Sequence, residues 1–166
     1  MPAELPASLE STLAAGKISF DPETFRWDGI EEMTYKCSLG DARGLGWKGV
    51  TRHTLGGPPF LAGGFELRYF ELAPGGYSSI EKHRHVHMIM VLRGNGWALV
   101  GDKIFDVKPM EMVTVPPLTP HRWINDSDEP FGFLCPVDAD RDNAQPLSDE
   151  EWEALQANPE TSPYVF

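Results

Sequence analysis

Glu81-Lys82-His83-Arg84-His85-Val86-His87-Met88-Ile89-Met90-Val91 runs through Leu92-Arg93 into Gly94-Asn95-Gly96. From Glu81 to His87 every second side chain is a carboxylate or an imidazole, and Ile89 and Val91 continue the same alternation with apolar groups. A period of two is that of a β-strand, whose alternate residues share one face. One face therefore carries Glu81, His83, His85 and His87, while Met88 and Met90 face out. The stretch reads as a strand over Ser79–Arg93, and the glycine-rich tripeptide after it reads as a hairpin turn.

The same alternation, cut by turn signals, extends to both sides. Strands are expected at Gly49–Leu55, Phe65–Ala73, Trp97–Val100, Lys103–Val107, Met112–Val115, His121–Asn125 and Phe131–Val137. Pro74-Gly75-Gly76, Gly101-Asp102 and Pro116-Pro117 separate them. Strands recurring about every 8–12 residues without intervening helices point to an all-β sandwich or barrel. Helices are expected only at the flanks. Leu5, Leu9 and Leu13 suggest a short turn of helix before Gly16. Ser148-Asp149-Glu150-Glu151 is a capping box in front of Trp152 and Leu155, and Asn158-Pro159 stops that helix. The expected organisation is an N-terminal arm over 1–32, a barrel over 33–137 and a tail with a short helix over 138–166.

The chain has 166 residues and a formal charge of −11. That charge belongs to the flanks: residues 1–32 carry seven acids and two bases, and residues 138–166 carry eight acids and only Arg141. The middle is near neutral and holds all five histidines. An acidic chain without clustered Lys and Arg is a poor partner for a nucleic-acid backbone. No apolar run approaches the ~20 residues of a membrane helix, and no basic residue or apolar core resembling a signal peptide precedes Lys17. Two cysteines, Cys37 and Cys135, form no disulfide framework and fit a reducing, cytoplasmic setting.

Three imidazoles and a carboxylate on an inward face need a partner, because buried polar groups must be satisfied. A divalent metal is such a partner. A straight strand cannot deliver them to one ion, since Glu81 to His87 would span about 20 Å at ~3.3 Å per residue. The chain must bend near Arg84–Val86, and a further ligand must come from elsewhere. His121 is the candidate. His53 stands alone, and a surface or capping role is expected for it.

At these residues the sequence resembles the cupin family. Gly75, five residues, Glu81-Lys82-His83, three residues, His87, six residues and Gly94 follow the spacing of the first cupin motif. Met110, five residues, Pro116-Pro117-Leu118, two residues, His121, three residues and Asn125 follow the second. The first metal histidine of the family is Glu81 here, and its glutamate is His87. Two motif glycines are replaced by Met110 and Leu118, which puts the turn geometry in question. The resemblance implies an antiparallel double-stranded β-helix, the jelly-roll barrel. It implies a metal set of Glu81, His83, His87 and His121, with His85 in reserve, and a homodimer.

Nitrogen and oxygen donors without thiolate suit one divalent Fe, Mn, Ni, Zn or Cu ion. Open coordination positions would admit substrate, water or dioxygen. The leading expectation is a small metal-dependent enzyme of dioxygenase type with Fe(II), acting on a small organic molecule. Glu81 and His121 are its candidate catalytic groups. A non-oxidative isomerase or lyase, or a non-catalytic ligand-binding barrel, are the alternatives. Arg68 shares a face with Glu66 and Phe70. With Trp97 and Trp123 it is a candidate pocket wall, although core packing is the commoner role for an aromatic. Cys135 reads as an inert thiol at the barrel end.

Overall fold

The structure, a computed structural model, describes residues 17–36, 43–57 and 64–166. The helix expected at Leu5, Leu9 and Leu13, and Cys37, lie outside the described residues. The strands are β1 (Phe20–Asp21), β2 (Arg26–Trp27), β3 (Met33–Thr34), β4 (Lys48–Gly56), β5 (Phe65–Tyr77), β6 (His87–Arg93), β7 (Gly96–Val100), β8 (Lys103–Val107), β9 (Met112–Val115), β10 (His121–Ile124) and β11 (Phe131–Asp138). One α-helix, α1 (Asp149–Ala157), follows them.

Pairing is antiparallel throughout, in the order β8-β7-β10-β5-β11-β6-β9, with β4 also on β5 and β3 on β4. The long β5 joins the two halves. Phe65–Leu72 pairs with β11, and beyond Pro74-Gly75-Gly76 its last residue, Tyr77, pairs with Ile124 of β10. The sheet thus curls into a nearly closed barrel, the all-β barrel that the strand spacing anticipates and the jelly roll that the motif resemblance implies. Its inner face is a continuous core that includes Phe70, Leu72, Ile89, Val91, Val115, Trp123, Phe131 and Phe133. Burying each such side chain contributes roughly 1.5–3 kcal/mol.

Two turns show where local reading succeeds and fails. Gly101-Asp102 is a tight hairpin turn, with Val100 opposite Lys103. Gly94-Asn95-Gly96 is not a hairpin: β6 pairs with β11 and β9, whereas β7 pairs with β10 and β8. Its glycines answer a close approach instead. A Cβ on Gly94 would lie 2.1 Å from the Pro130 carbonyl oxygen, and one on Gly96 would lie 2.5 Å from the Phe131 ring. The strand expected over Ser79–Arg93 is likewise broken. Glu81 bridges to His121, the chain bends at Arg84–His85, and β6 starts only at His87.

Met110 and Leu118 keep the backbone of the glycines they replace, at φ 73° and 56°. The motif turns therefore survive without glycine, at a cost in strain.

Both flanks pack on the outside of the barrel. Ser148 Oγ accepts from the Glu151 N–H, and Glu151 accepts from the Ser148 N–H, completing the capping box. The buried Trp152 and Leu155 of α1 join Ile80, Leu99 and Val165 in a second cluster. Near the N-terminus, Phe25 and Trp27 pack against Tyr69, Trp27 edge-on, and Arg26 makes two hydrogen bonds to Glu71. His53 departs from the surface role expected for it. Its side chain is buried against Tyr69, with Nε2 unpaired among the described residues.

Candidate metal centre

The bend at Arg84–His85 brings together what a straight strand would keep apart. His83 and His87, on either side of it, meet His121 of β10, and one ring nitrogen of each lies within 4.8 Å of the others. All three residues are buried. Ring centroids are 4.3 Å apart for His83 and His87, 4.8 Å for His83 and His121, and 5.2 Å for His87 and His121.

The second nitrogen of each ring is already engaged. His83 Nδ1 is 2.9 Å from the His85 carbonyl oxygen, His121 Nδ1 is 3.0 Å from the Thr119 carbonyl oxygen, and His87 Nδ1 is 3.3 Å from Cys135 Sγ. A carbonyl oxygen only accepts, so the Nδ1 atoms of His83 and His121 carry the proton. A proton on Nδ1 leaves Nε2 with a free lone pair. His83 Nε2 is indeed buried with no hydrogen-bond partner among the described residues. A metal-binding histidine anchored through its other N–H has this arrangement. Burial, followed by the neighbouring imidazoles of His121 and His85, pushes His83 down to about 4. Burial likewise holds His87 and His121 well below the ordinary imidazole value. Neutral rings whose nitrogens lie this close together are what a divalent ion requires, so the residues fit a metal.

Glu81 and His85, expected as ligands, stand beside this group and outside it. The Glu81 carboxylate accepts from Lys36 Nζ and, at 2.5 Å, from the Ser79 hydroxyl. Burial alone would raise its pKa. Lys36 overrides burial and holds the carboxyl below its ordinary value. His85 stacks on His83 with ring centroids 3.6 Å apart, and its Nδ1 is held 3.0 Å from Asp142. Asp142 also accepts from the Arg84 N–H at 2.8 Å, which pins the bend.

The triad opens into a cavity of about 460 Å³. Arg68 and Trp123 line it, and so do Glu81, His85 and Cys135. Trp97 does not. It faces the outside of β7, where its indole N–H donates to Asp126 and its ring lies 5.7 Å from Tyr164. The cavity is also lined by residues that strand reading passes over: Tyr35, Lys36, Arg52, Arg141 and Asp142. Lys36 lies 45 residues from the carboxylate it meets, and no local pattern announces such a contact.

Comparison with known proteins agrees with this geometry. Residues 68–137 match the profile of the family described as "Cupin domain". A cupin-2 domain protein from Rhodospirillum rubrum superposes with a TM-score of 0.75 at 35% identity, covering 85% of this chain and 90% of that one. A cupin 2 conserved barrel domain protein from Rhodopseudomonas palustris gives a TM-score of 0.79 at 33% identity, over 90% and 99%. The chain belongs to the cupin family. A curated relative of this cupin, from Rhodospirillum rubrum, is named 1-methylthio-D-xylulose 5-phosphate methylsulfurylase. It is 38% identical over 134 residues, which span 81% of this chain and 82% of the relative. Within the cupin barrel, the second motif places its histidine, His121, among the converging rings. His87, standing at the glutamate position of the first motif, joins it there.

Proposed function

We propose that this cupin is a metal-dependent enzyme that acts, without dioxygen, on a small phosphorylated ketose bearing a methylthio group. The convergence of His83, His87 and His121 at the wall of an open cavity carries the reading, because it leaves coordination positions for a substrate. The name of the Rhodospirillum rubrum relative supplies the substrate class. A divalent ion held there is a Lewis acid that polarises a substrate carbonyl or hydroxyl oxygen. The remaining work falls to the chain itself. Glu81, paired with Lys36, is the group placed to hold and return a proton beside the metal. His121 serves as a ligand, and Trp123 walls off water. Arg68 faces the substrate.

Elemental analysis of untagged protein should find about one equivalent of Fe, Mn, Ni, Zn or Cu. His83→Ala and His121→Ala should each lose it, and His53→Ala should keep it. With a small thiol as acceptor, the metal-loaded protein should remove the methylthio group of 1-methylthio-D-xylulose 5-phosphate under anaerobic conditions: the thiol sulfur bonds to the methylthio sulfur to give a methyl disulfide, and the ketose carbon leaves with the electron pair and takes a proton. Metal below a tenth of an equivalent after reconstitution would sink the proposal.

A second reading, an Fe(II) dioxygenase, is favoured by the same open positions that three nitrogen donors leave on a six-coordinate ion. Oxygen uptake in the presence of catechols, diketones or thiols would select it. Both readings take the protein to be a cytoplasmic homodimer, supported by the outward, half-exposed Met88 and Met112. Sedimentation as a monomer would remove that part.

A further inference from the structure

We propose that Arg52 and Arg68 form an anion subsite in the cavity wall, built for the phosphate of a phosphate monoester. The inference deepens the proposed function and rests on that reading for the identity of the sugar.

The two arginines sit on adjacent strands and share a face. Arg52 lies opposite Phe70 and Thr54 lies opposite Arg68, so the two guanidinium stems are diagonal neighbours across β4 and β5. Both line the cavity, and the Nε atoms of both are buried without a hydrogen-bond partner among the described residues. A buried donor left unpaired costs free energy, more so when it is charged. The partners they do have are weak acceptors. Arg68 Nη2 donates to Cys135 Sγ at 3.2 Å, and Arg52 Nη2 donates to Met33 Sδ at 3.6 Å.

The charged side chains lining the cavity leave one cation in excess: Lys36, Arg52, Arg68 and Arg141 face Glu66, Glu81 and Asp142. Lys36 is taken by Glu81, and Asp142 accepts from His85 and two backbone N–H groups. Glu66 is hydrogen-bonded by Arg141 at 3.3 and 3.4 Å, while Arg68 Nε stays 3.7 Å away. Among the described residues Arg52 has no carboxylate within ion-pair distance. A cavity with surplus guanidinium and a dication selects an anion, and the flat fork of arginine matches two phosphate oxygens at once. Position supports the same conclusion. Arg68 is held 5.0 Å from the centre of the Phe70 ring, and through Cys135 it adjoins the ligand His87. A small ester bound there would reach the metal with its other end.

Calorimetry on metal-loaded protein with D-xylulose 5-phosphate and with D-xylulose tests the subsite. The ester should bind at least 10-fold more tightly than the neutral ketose, and inorganic phosphate should compete with it. Arg52→Met should abolish the preference with metal content unchanged, Arg52→Lys should keep part of it, and Lys103→Met on the outer strand should keep all of it. Arg68→Met should behave as Arg52→Met does. If it does not fold, Arg52→Met decides alone. An ester bound no more tightly than the ketose overturns the subsite, and so does an Arg52→Met protein that retains the preference. Ester binding that depends on Arg52, without any methylthio release, removes the proposed reaction and leaves the subsite standing. Methylthio release with an unchanged KM in Arg52→Met removes the subsite and leaves the reaction standing.

Discussion

Replacing Met110 or Leu118 by glycine should stabilise this protein, although each change deletes a side chain. Both residues hold a left-handed backbone, at φ 73° and 56°. That conformation costs an L-residue roughly 1–2 kcal/mol. Glycine removes the strain but gives back about 0.5–1 kcal/mol through the extra freedom of the unfolded chain. Little packing is lost at Met110, which is 72% exposed, and somewhat more at Leu118, which is 49% exposed. The net gain is about 0.5–1 kcal/mol for Met110→Gly and somewhat less for Leu118→Gly. For a domain of this size that is about 2–3 °C in Tm for the first change. The two sites lie in separate turns, so the double variant should show nearly the sum. Thermal unfolding followed by circular dichroism in the presence of EDTA excludes any contribution from metal. Met110→Ala and Leu118→Ala are the controls: both trim the side chain, keep the Cβ and should bring no gain. A Met110→Gly protein that melts at or below the wild-type temperature, or an alanine variant that gains as much, would refute the strain argument. Leu118→Gly should also retain its metal, because the backbone it shares with Thr119 and His83 is unchanged.

Three further outcomes follow from side chains around the barrel. Cys135→Val leaves His87 Nδ1 without its partner and should weaken metal affinity about 10–100-fold, read by competition with a chromogenic chelator, while Cys135→Ser should lose much less. Glu71 is half-buried, and although burial alone would raise its carboxyl, hydrogen bonds from Arg26 and Tyr69 hold it below its ordinary value. Its contribution is therefore fully present above the unfolded carboxylate pKa and lost as pH falls through the lower folded one, so Glu71→Gln should flatten the acid limb of urea-unfolding stability below about pH 4.5. Arg122 is fully buried, donating to the carbonyl oxygens of Ser78, Tyr164 and Phe166. Arg122→Met should cost about 2–4 kcal/mol and speed amide exchange in residues 159–166, and protection there equal to wild type would count against the anchoring role.

Much of the barrel is legible because its informative features are local. The alternation from Glu81 to Val91, the Gly101-Asp102 turn and the Ser148 capping box each need only a few consecutive residues. The cupin spacing extends that reach to His121, and the distance between Glu81 and His87 already demands the bend found at Arg84–His85. What escapes is pairing across long separations. A period of two fixes which side of a strand is buried, not which strand lies beside it. Gly94-Asn95-Gly96 therefore looks like a hairpin while linking two strands that never pair, and Trp97 is placed on the wrong side of the wall. His53 looks solitary because its cover, Tyr69 of the neighbouring strand, comes from another part of the chain. Lys36, which meets the Glu81 carboxylate, is announced by nothing nearby in sequence.

The anchored Nδ1 atoms have a consequence for handling the protein. The rings of His83 and His121 are oriented by backbone carbonyls, and that of His87 by Cys135. Three identical nitrogen donors discriminate poorly between first-row ions, so on the proposed metal-binding reading occupancy follows the Irving–Williams order and whatever the growth medium supplies. Preparations from different media should then differ in colour and magnetism while remaining the same polypeptide. Any activity tested for the proposed function is best compared after stripping and reloading with one defined ion.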